Sequence, residues 1–310
     1  MMSWVKRATW LGGVVFLASG MAMAQSQQPA SAKPGTVNYS EGQVTIDGQV
    51  VTTQTQNSST VEPGQVLRTD QGKAEMLLTP GVFLRLGDNS AVKMVSPSLT
   101  DTRVELMQGE AMVEADEVLE GNHVVIGQNG VDTTILKNGL YRLSTNPAQL
   151  SVYDGKAQVF INARVVEVGK GKQLTLAPTA ALKPQNFDRK AADQLYQWSS
   201  VRSQYVAEAN QSSVQYIVDG GYPWGWGLGW YWNPWFGSWA FIPGHGYFGG
   251  PFGFGFYSPT YWRAYAPFHG YGHYWSPAAG HGGGFHGGGY AHGGGFGGGG
   301  FHGGGGGGRR

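Results

Sequence analysis

Six acidic residues, Glu105, Glu110, Glu114, Asp116, Glu117 and Glu120, crowd into one short stretch of this 310-residue chain. Two carboxyl groups flanking a glycosidic bond are the machinery of sugar hydrolysis, so the cluster is the first candidate for a reactive centre. Alternation counts against it, because Glu105 falls out of phase with the apolar Val104 and Leu106 and so belongs to the solvated face of a strand, where carboxylates normally sit. His123 and many serines are present, but there is no G-x-S-x-G elbow, no cysteine nucleophile and no H-E-x-x-H motif. The expectation is a chain with no catalytic residues and no cofactor.

Seven of the eight histidines, His245, His269, His273, His281, His286, His292 and His302, lie in the C-terminal third. Imidazole takes zinc, nickel and copper, yet neither cysteine nor carboxylate joins these residues and their spacing is irregular. The tract is compositional and no metal site is expected. From Gly220 the composition changes: Tyr222–Tyr274 is dominated by Gly, Trp, Tyr, Phe and Pro, Gly280–Gly308 is nearly all Gly with His, Phe and Tyr, and no acidic residue follows Asp219. Exposed Trp and Tyr faces suit stacking on sugar rings or a membrane interface. Pro223, Pro234, Pro243, Pro251 and Pro259 speak against a spanning segment, which would leave backbone groups unpaired in lipid. So much glycine is costly to order, and the expectation for 220–310 is a low-complexity tail, disordered or loosely clustered through its aromatics.

At the other end, Lys6 and Arg7 precede an apolar run from Ala8 to Ser19, and Ala22-Met23-Ala24 precedes Gln25. These are the three parts of a secretory signal peptide, with cleavage between Ala24 and Gln25. The apolar run falls short of the roughly 20 residues that a spanning helix needs. The expected product is an exported protein of the periplasm or cell surface without a transmembrane helix in its mature form. With zero cysteines no disulfide staples it, so stability must come from a core. A net charge of +1, spread over mixed signs, excludes the concentrated basic surface that nucleic acids require.

The elements that must position any site are strands. Residues 25–35 form a polar, Pro-containing leader, after which Val44–Ile46, Asp47-Gly48 and Gln49–Val51 predict a hairpin with a primed turn. From Gly64 to Glu114 apolar residues recur at every second position, as in Ala74, Met76 and Leu78 or Val82, Leu84 and Leu86. Parts of this pattern recur. Leu78-x-x-Gly81 with Arg85-Leu86 is echoed by Leu136-x-x-Gly139 with Arg142-Leu143, and Glu105–Val113 by Ser151–Val159, at offsets of about 57 and 46 residues. The whole predicts an all-β domain over 36–178, a sandwich or a short solenoid-like roll with related halves at 36–116 and 117–178. A linker at 179–186 leads to an amphipathic helix over 187–210, capped by Asn186 or Asp188. Its apolar stripe is Phe187, Ala191, Leu195, Trp198, Val201 and Tyr205.

Gly64, Leu67, Thr69, Ala74, Leu84, Leu86, Asn89, Ser90, Leu106 and Gly109 together resemble the FecR domain. The resemblance implies a β fold through structural glycines and strand positions rather than reactive groups. In the family this domain is the extracytoplasmic part of a regulator that receives a signal from an outer-membrane, TonB-dependent receptor during ferric-siderophore uptake. The family's cytoplasmic segment and membrane span have no counterpart here, where an export signal comes first. The expectation is therefore a non-catalytic cell-envelope protein whose β domain binds a protein or polysaccharide partner, with the tail as an adhesive element. The alternatives are a sensing module working beside an outer-membrane receptor, and an enzyme acting on envelope polysaccharide through Glu105, Glu110 and Glu114.

Overall fold

In a computed structural model the structure describes residues 32–177, 182–220 and 227–265. The signal segment with its Ala24–Gln25 cut, and every tail histidine except His245, lie outside these residues. The chain opens on β1 (Val37–Ile46), β2 (Gln49–Val50), β3 (Val66–Thr79), β4 (Val82–Leu86), β5 (Ser90–Ser98), β6 (Asp101–Gln108) and β7 (Glu110–Ala115). It continues through β8 (His123–Gln128), β9 (Val131–Ile135), β10 (Gly139–Thr145), β11 (Ala148–Asp154), β12 (Lys156–Ile161), β13 (Arg164–Gly169), β14 (Lys172–Thr175) and β15 (Gln185–Asn186). Helix α1 (Gln194–Asp219) is followed by hairpins β16–β17 (Gly229–Asn233, Ser238–Ile242) and β18–β19 (Tyr247–Gly249, Gly255–Tyr257) and by helix α2 (Pro259–Tyr265). The chain is mainly β with one long helix, as its period-two pattern implies.

β1 to β15 form one hydrogen-bonded ladder in the order β13-β12-β9-β8-β6-β5-β3-β4-β7-β10-β11-β14-β15, with β1 beside β3 and β2. It folds back on itself where one strand runs into the next at a left-handed glycine, Gly109 (φ 78°) between β6 and β7 and Gly155 (φ 89°) between β11 and β12. A Cβ at Gly109 would lie 2.2 Å from Ser90 Oγ, and one at Gly155 2.2 Å from Tyr141 Oη, so neither corner admits a side chain. The two stretches of the 46-residue echo each form two strands joined at one of these corners, β6–β7 and β11–β12. β6 pairs with β5 and β7 with β4 in the first unit, and β11 pairs with β10 and β12 with β9 in the second, antiparallel throughout. The two arms face each other across one core, to which Met76, Leu84, Val113 and Leu143 come from one arm and Val92, Val104, Ile126 and Val159 from the other. All are fully buried, at about 1.5–3 kcal/mol for each large side chain. The Asp47-Gly48 turn has the positive φ values, 48° and 81°, that its sequence predicts.

Residues that alternate with the core point outward. One such row runs from Tyr39 through Glu75, Arg85, Met112, Arg142 and Ser151 to Gln173. α1 lies over the first half of it and departs from its expected bounds and face. It runs from Gln194 to Asp219 instead of 187–210, and its N-cap is Asp193, whose carboxylate accepts from Tyr196 N–H at 2.9 Å, rather than Asn186 or Asp188. Phe187 and Ala191 precede it, and Val201 is 65% exposed. The buried face is Leu195, Ser199, Arg202, Ser203, Val206, Asn210, Val214 and Ile217. Its polarity answers the sheet beneath, which presents Glu75, Arg85 and Glu114.

The low-complexity segment read from residue 220 divides. Residues 227–265 fold as the two hairpins and α2, whereas 221–226 and 266–310 lie outside the described residues. Trp230, Trp239, Phe241 and Phe256 pack with Leu77 and Phe83 of the sheet and Val206 and Ala207 of α1, so aromatic rings supply the burial that aliphatic side chains supply elsewhere. Asn210 fixes both hairpins: its Nδ2 donates to Phe241 O (2.8 Å) and Tyr257 O (3.1 Å), and its Oδ1 accepts from Tyr257 N–H (2.9 Å). Asn38 accepts from Trp239 N–H at 2.8 Å. The leader read as 25–35 ends inside the fold, since Gly35 N–H donates to Leu77 O at 2.8 Å.

Candidate functional site

The outer face carries two polar arrangements side by side, one sealed and one open. In the sealed one Arg85 Nε donates to Glu75 Oε2 at 2.7 Å and Nη1 to Glu114 Oε2 at 2.5 Å, all three side chains having no exposure. From α1, Arg202 reaches Glu75 Oε1 at 3.0 Å and Ser203 Oγ donates to Glu114 Oε1 at 2.6 Å. The Arg202 guanidinium also lies 4.1 Å from the Tyr39 ring centroid. Burial pushes the Glu75 carboxyl up, but Arg202 and Arg85 outweigh it and hold it below the usual range. Glu114 goes the other way, because burial exceeds what Arg85 and Ser203 return.

Two residues further on, Asp116 is buried with neither carboxyl oxygen hydrogen-bonded. Burial, and then the negative charge of Glu114, push it well above the usual carboxylate range. Charge balance gives the same answer: two guanidiniums, Arg85 and Arg202, match the carboxylates of Glu75 and Glu114, which leaves Asp116 to hold a proton. The β18–β19 loop closes over it, since a Cβ on Gly250 would sit 2.7 Å from Asp116 Oδ1. Arg85, Glu75 and Glu114 have no exposed side-chain surface, and with Arg202, Ser203 and Gly250 they join sheet, helix and hairpins.

The acidic cluster of the sequence is thereby dispersed. The Gly109 corner sends Glu105 to the outer face of the opposite arm, where it pairs with Lys93 at 2.6 Å and is 42% exposed, as its alternation predicts. Glu110 pairs with Arg142, Glu114 and Asp116 are sealed, Glu117 is buried with its charge opposed by His245, and Glu120 and His123 are exposed. Among the described residues no group of His, Cys, Asp and Glu is arranged to hold a metal ion.

Beyond Met112 neither α1 nor the hairpins cover the face, which forms a cleft of about 370 Å³ among the described residues. Its floor is the row Arg142–Ser151–Gln173 and the neighbouring row Glu110–Ser144–Gln149, held by the ladder of β7, β10, β11 and β14. One wall is the Asn146–Pro147 turn, and the other is the segment from Phe187 to Ala191 that leads into α1. Arg142 Nη2 bonds Glu110 Oε2 at 2.6 Å and also Asp193, so the Arg142 charge is already taken up within the cleft. Tyr153 stands edge-on to Phe187 at 5.0 Å, and Phe187 is half-buried. By contrast, the hydroxyls of Ser144 and Ser151 and the amides of Gln149 and Gln173 make no side-chain hydrogen bond among the described residues. The sequence analysis did not single out these four residues; their outward face follows from the strand register.

No family model and no curated protein matches the chain. Two crystal structures of a proposed anti-sigma factor from Parabacteroides distasonis, at 2.50 Å and 1.65 Å resolution, are similar to it with a TM-score of 0.35 and 16% identity. The match covers 40% of this chain and 61% of that one, so the chain spans less than two thirds of their length. Among the described residues no helix is long and apolar enough to cross a membrane.

Proposed function

We propose that this chain is a non-catalytic, exported cell-envelope protein whose β domain binds a protein or glycan partner through the cleft on its outer face. The observation that carries this reading is the cleft itself: a floor of paired strands presents hydroxyls and amides that make no side-chain hydrogen bond among the described residues, beside a half-buried aromatic ring. Such convergence of unsatisfied polar groups in a concavity is what ligand sites look like. The signal-like residues 1–24 support export, and the Gly-, His- and aromatic-rich sequence after residue 265 adds a second, weaker adhesive element through repeated contacts. Sedimentation of the mature chain with isolated envelope fractions tests it. The chain is expected to pellet with the envelope, and a Gln149→Ala/Gln173→Ala variant to remain largely in solution; equal pelleting of both would remove the cleft from the reading.

A further inference from the structure

We infer that the cleft takes an uncharged, hydroxyl-rich sugar segment of an envelope glycan, held by Ser144, Gln149, Ser151 and Gln173 with a ring face against Phe187. This rests on the binding role proposed above and names its ligand class.

Three observations select that class. First, the free groups are hydroxyls and carboxamides, each of which both donates and accepts a hydrogen bond, as sugar hydroxyls do. A ligand carrying only acceptors, such as a phosphate, would leave half of this capacity unused. Second, the only cation on the floor, Arg142, is already shared between Glu110 and Asp193, and Asp188 adds a further carboxylate on the wall. An anionic ligand would meet three carboxylates and one occupied guanidinium, and a cationic ligand would find outside that pairing only Asp188, whose Oδ1 already accepts from Lys190 N–H. Third, Phe187 is locked edge-on against Tyr153, which is locked in turn against Tyr196 at 5.2 Å, so a flat apolar surface stands at a fixed angle to the polar floor. A pyranose ring has the complementary division, with C–H groups on its faces and hydroxyls around its edge.

The volume, about 370 Å³, lies at the small end of the range of about 300–1,000 Å³ for ligand pockets and suits a short segment of a glycan. A peptide fits less well. Extended peptides dock by adding to a free strand edge, but β10 and β11 are paired on both sides and β15 covers β14 at Lys172 and Gln173, so the strands under the cleft offer little free edge among the described residues.

The test uses the mature full-length chain and envelope fractions divided into three portions: untreated, treated with proteinase, and treated with periodate, which cleaves the vicinal diols of sugars. Binding is expected to survive proteinase and to be lost with periodate. The Gln149→Ala/Gln173→Ala variant, first shown to keep the parent's thermal midpoint, is expected to bind the proteinase-treated portion about tenfold more weakly. Binding that survives periodate but not proteinase would overturn the sugar assignment and leave a protein ligand for the cleft. Unchanged binding by the variant would overturn the site. Failure to bind even the untreated fraction would overturn the binding role itself.

Discussion

Arg85 and Arg142 sit opposite the same residue, Met112, one on each side of β7, and yet the first is fully buried while the second opens into the cleft. Position in the ladder does not separate them; α1 and the hairpins do, since they cover one half of the row and stop before the other. Removal should therefore have unequal costs. Arg85→Met strands Glu75 and Glu114 in a dry interior and is expected to lose about 3–5 kcal/mol of stability. Arg142→Met leaves two carboxylates that water already reaches and is expected to lose about 1 kcal/mol or less. Urea unfolding of the two variants beside the parent measures the difference, and equal losses would contradict the sealed-and-open description.

Asp116 makes stability depend on pH in a direction opposite to most carboxylates. Its folded-state pKa is raised, so the folded chain keeps a proton that the unfolded chain releases above about pH 4. Its contribution is fully present below that pH and is lost as pH rises toward the folded value. Glu75 has the reverse sign, with a lowered pKa and a contribution lost only as pH falls below the ordinary carboxylate range. The isostere Asp116→Asn needs no proton, and it is expected to be more stable than the parent at pH 7 and to flatten the decline between pH 5 and pH 8. Chemical denaturation across that window would decide the matter, with a destabilised and equally pH-sensitive variant as the contrary result.

Asn210 ties α1 to both hairpins with three hydrogen bonds. Asn210→Ala leaves two buried carbonyls and an N–H without partners, at an expected cost of about 1–3 kcal/mol. The loss should be local: amides of residues 238–257 are expected to exchange faster while those of β3, β4 and β7 keep their protection. Uniformly faster exchange would mean that the hairpins and the β domain unfold as one unit.

The corner glycines offer a graded comparison. Gly48 and Gly109 both have positive φ, but a Cβ at Gly48 meets nothing within 4 Å whereas one at Gly109 collides with Ser90 Oγ and Asn89 O. Gly48→Ala is expected to cost about 1 kcal/mol from backbone strain alone and Gly109→Ala clearly more. Thermal midpoints of the two single variants provide the check.

Strand parity made most of the β domain legible. Ala111, Val113 and Ala115 fall in the core, and Glu110, Met112 and Glu114 on the other face, as alternation requires. What parity cannot tell is whether the second face is wet. Carboxylates usually face water, whereas Glu114 lies under Ser203 and Gly250. The helix bounds differ for a related reason: its buried positions Arg202, Ser203 and Asn210 are polar because their partners are ions and backbone groups, so a hydrophobic stripe points the wrong way. In residues 227–265 the glycine content argued against order, but Gly237, Gly246 and Gly253 lie at turns with positive φ, where glycine costs least, and the rings between them have a sheet and a helix to pack on. The cleft depends on where α1 begins, at the Asp193 N-cap, for which Asn186 and Asp188 are competing candidates in the sequence.

The most direct test of the account is hydrogen exchange of the mature chain alone and saturated with solubilised, proteinase-treated envelope fragments. The account predicts new protection in residues 142–153 and 187–191 and at Gln173, the floor and wall of the cleft, with the sealed half of the row unchanged. Protection confined to other surfaces, with 142–153, 187–191 and Gln173 unaltered, would contradict it.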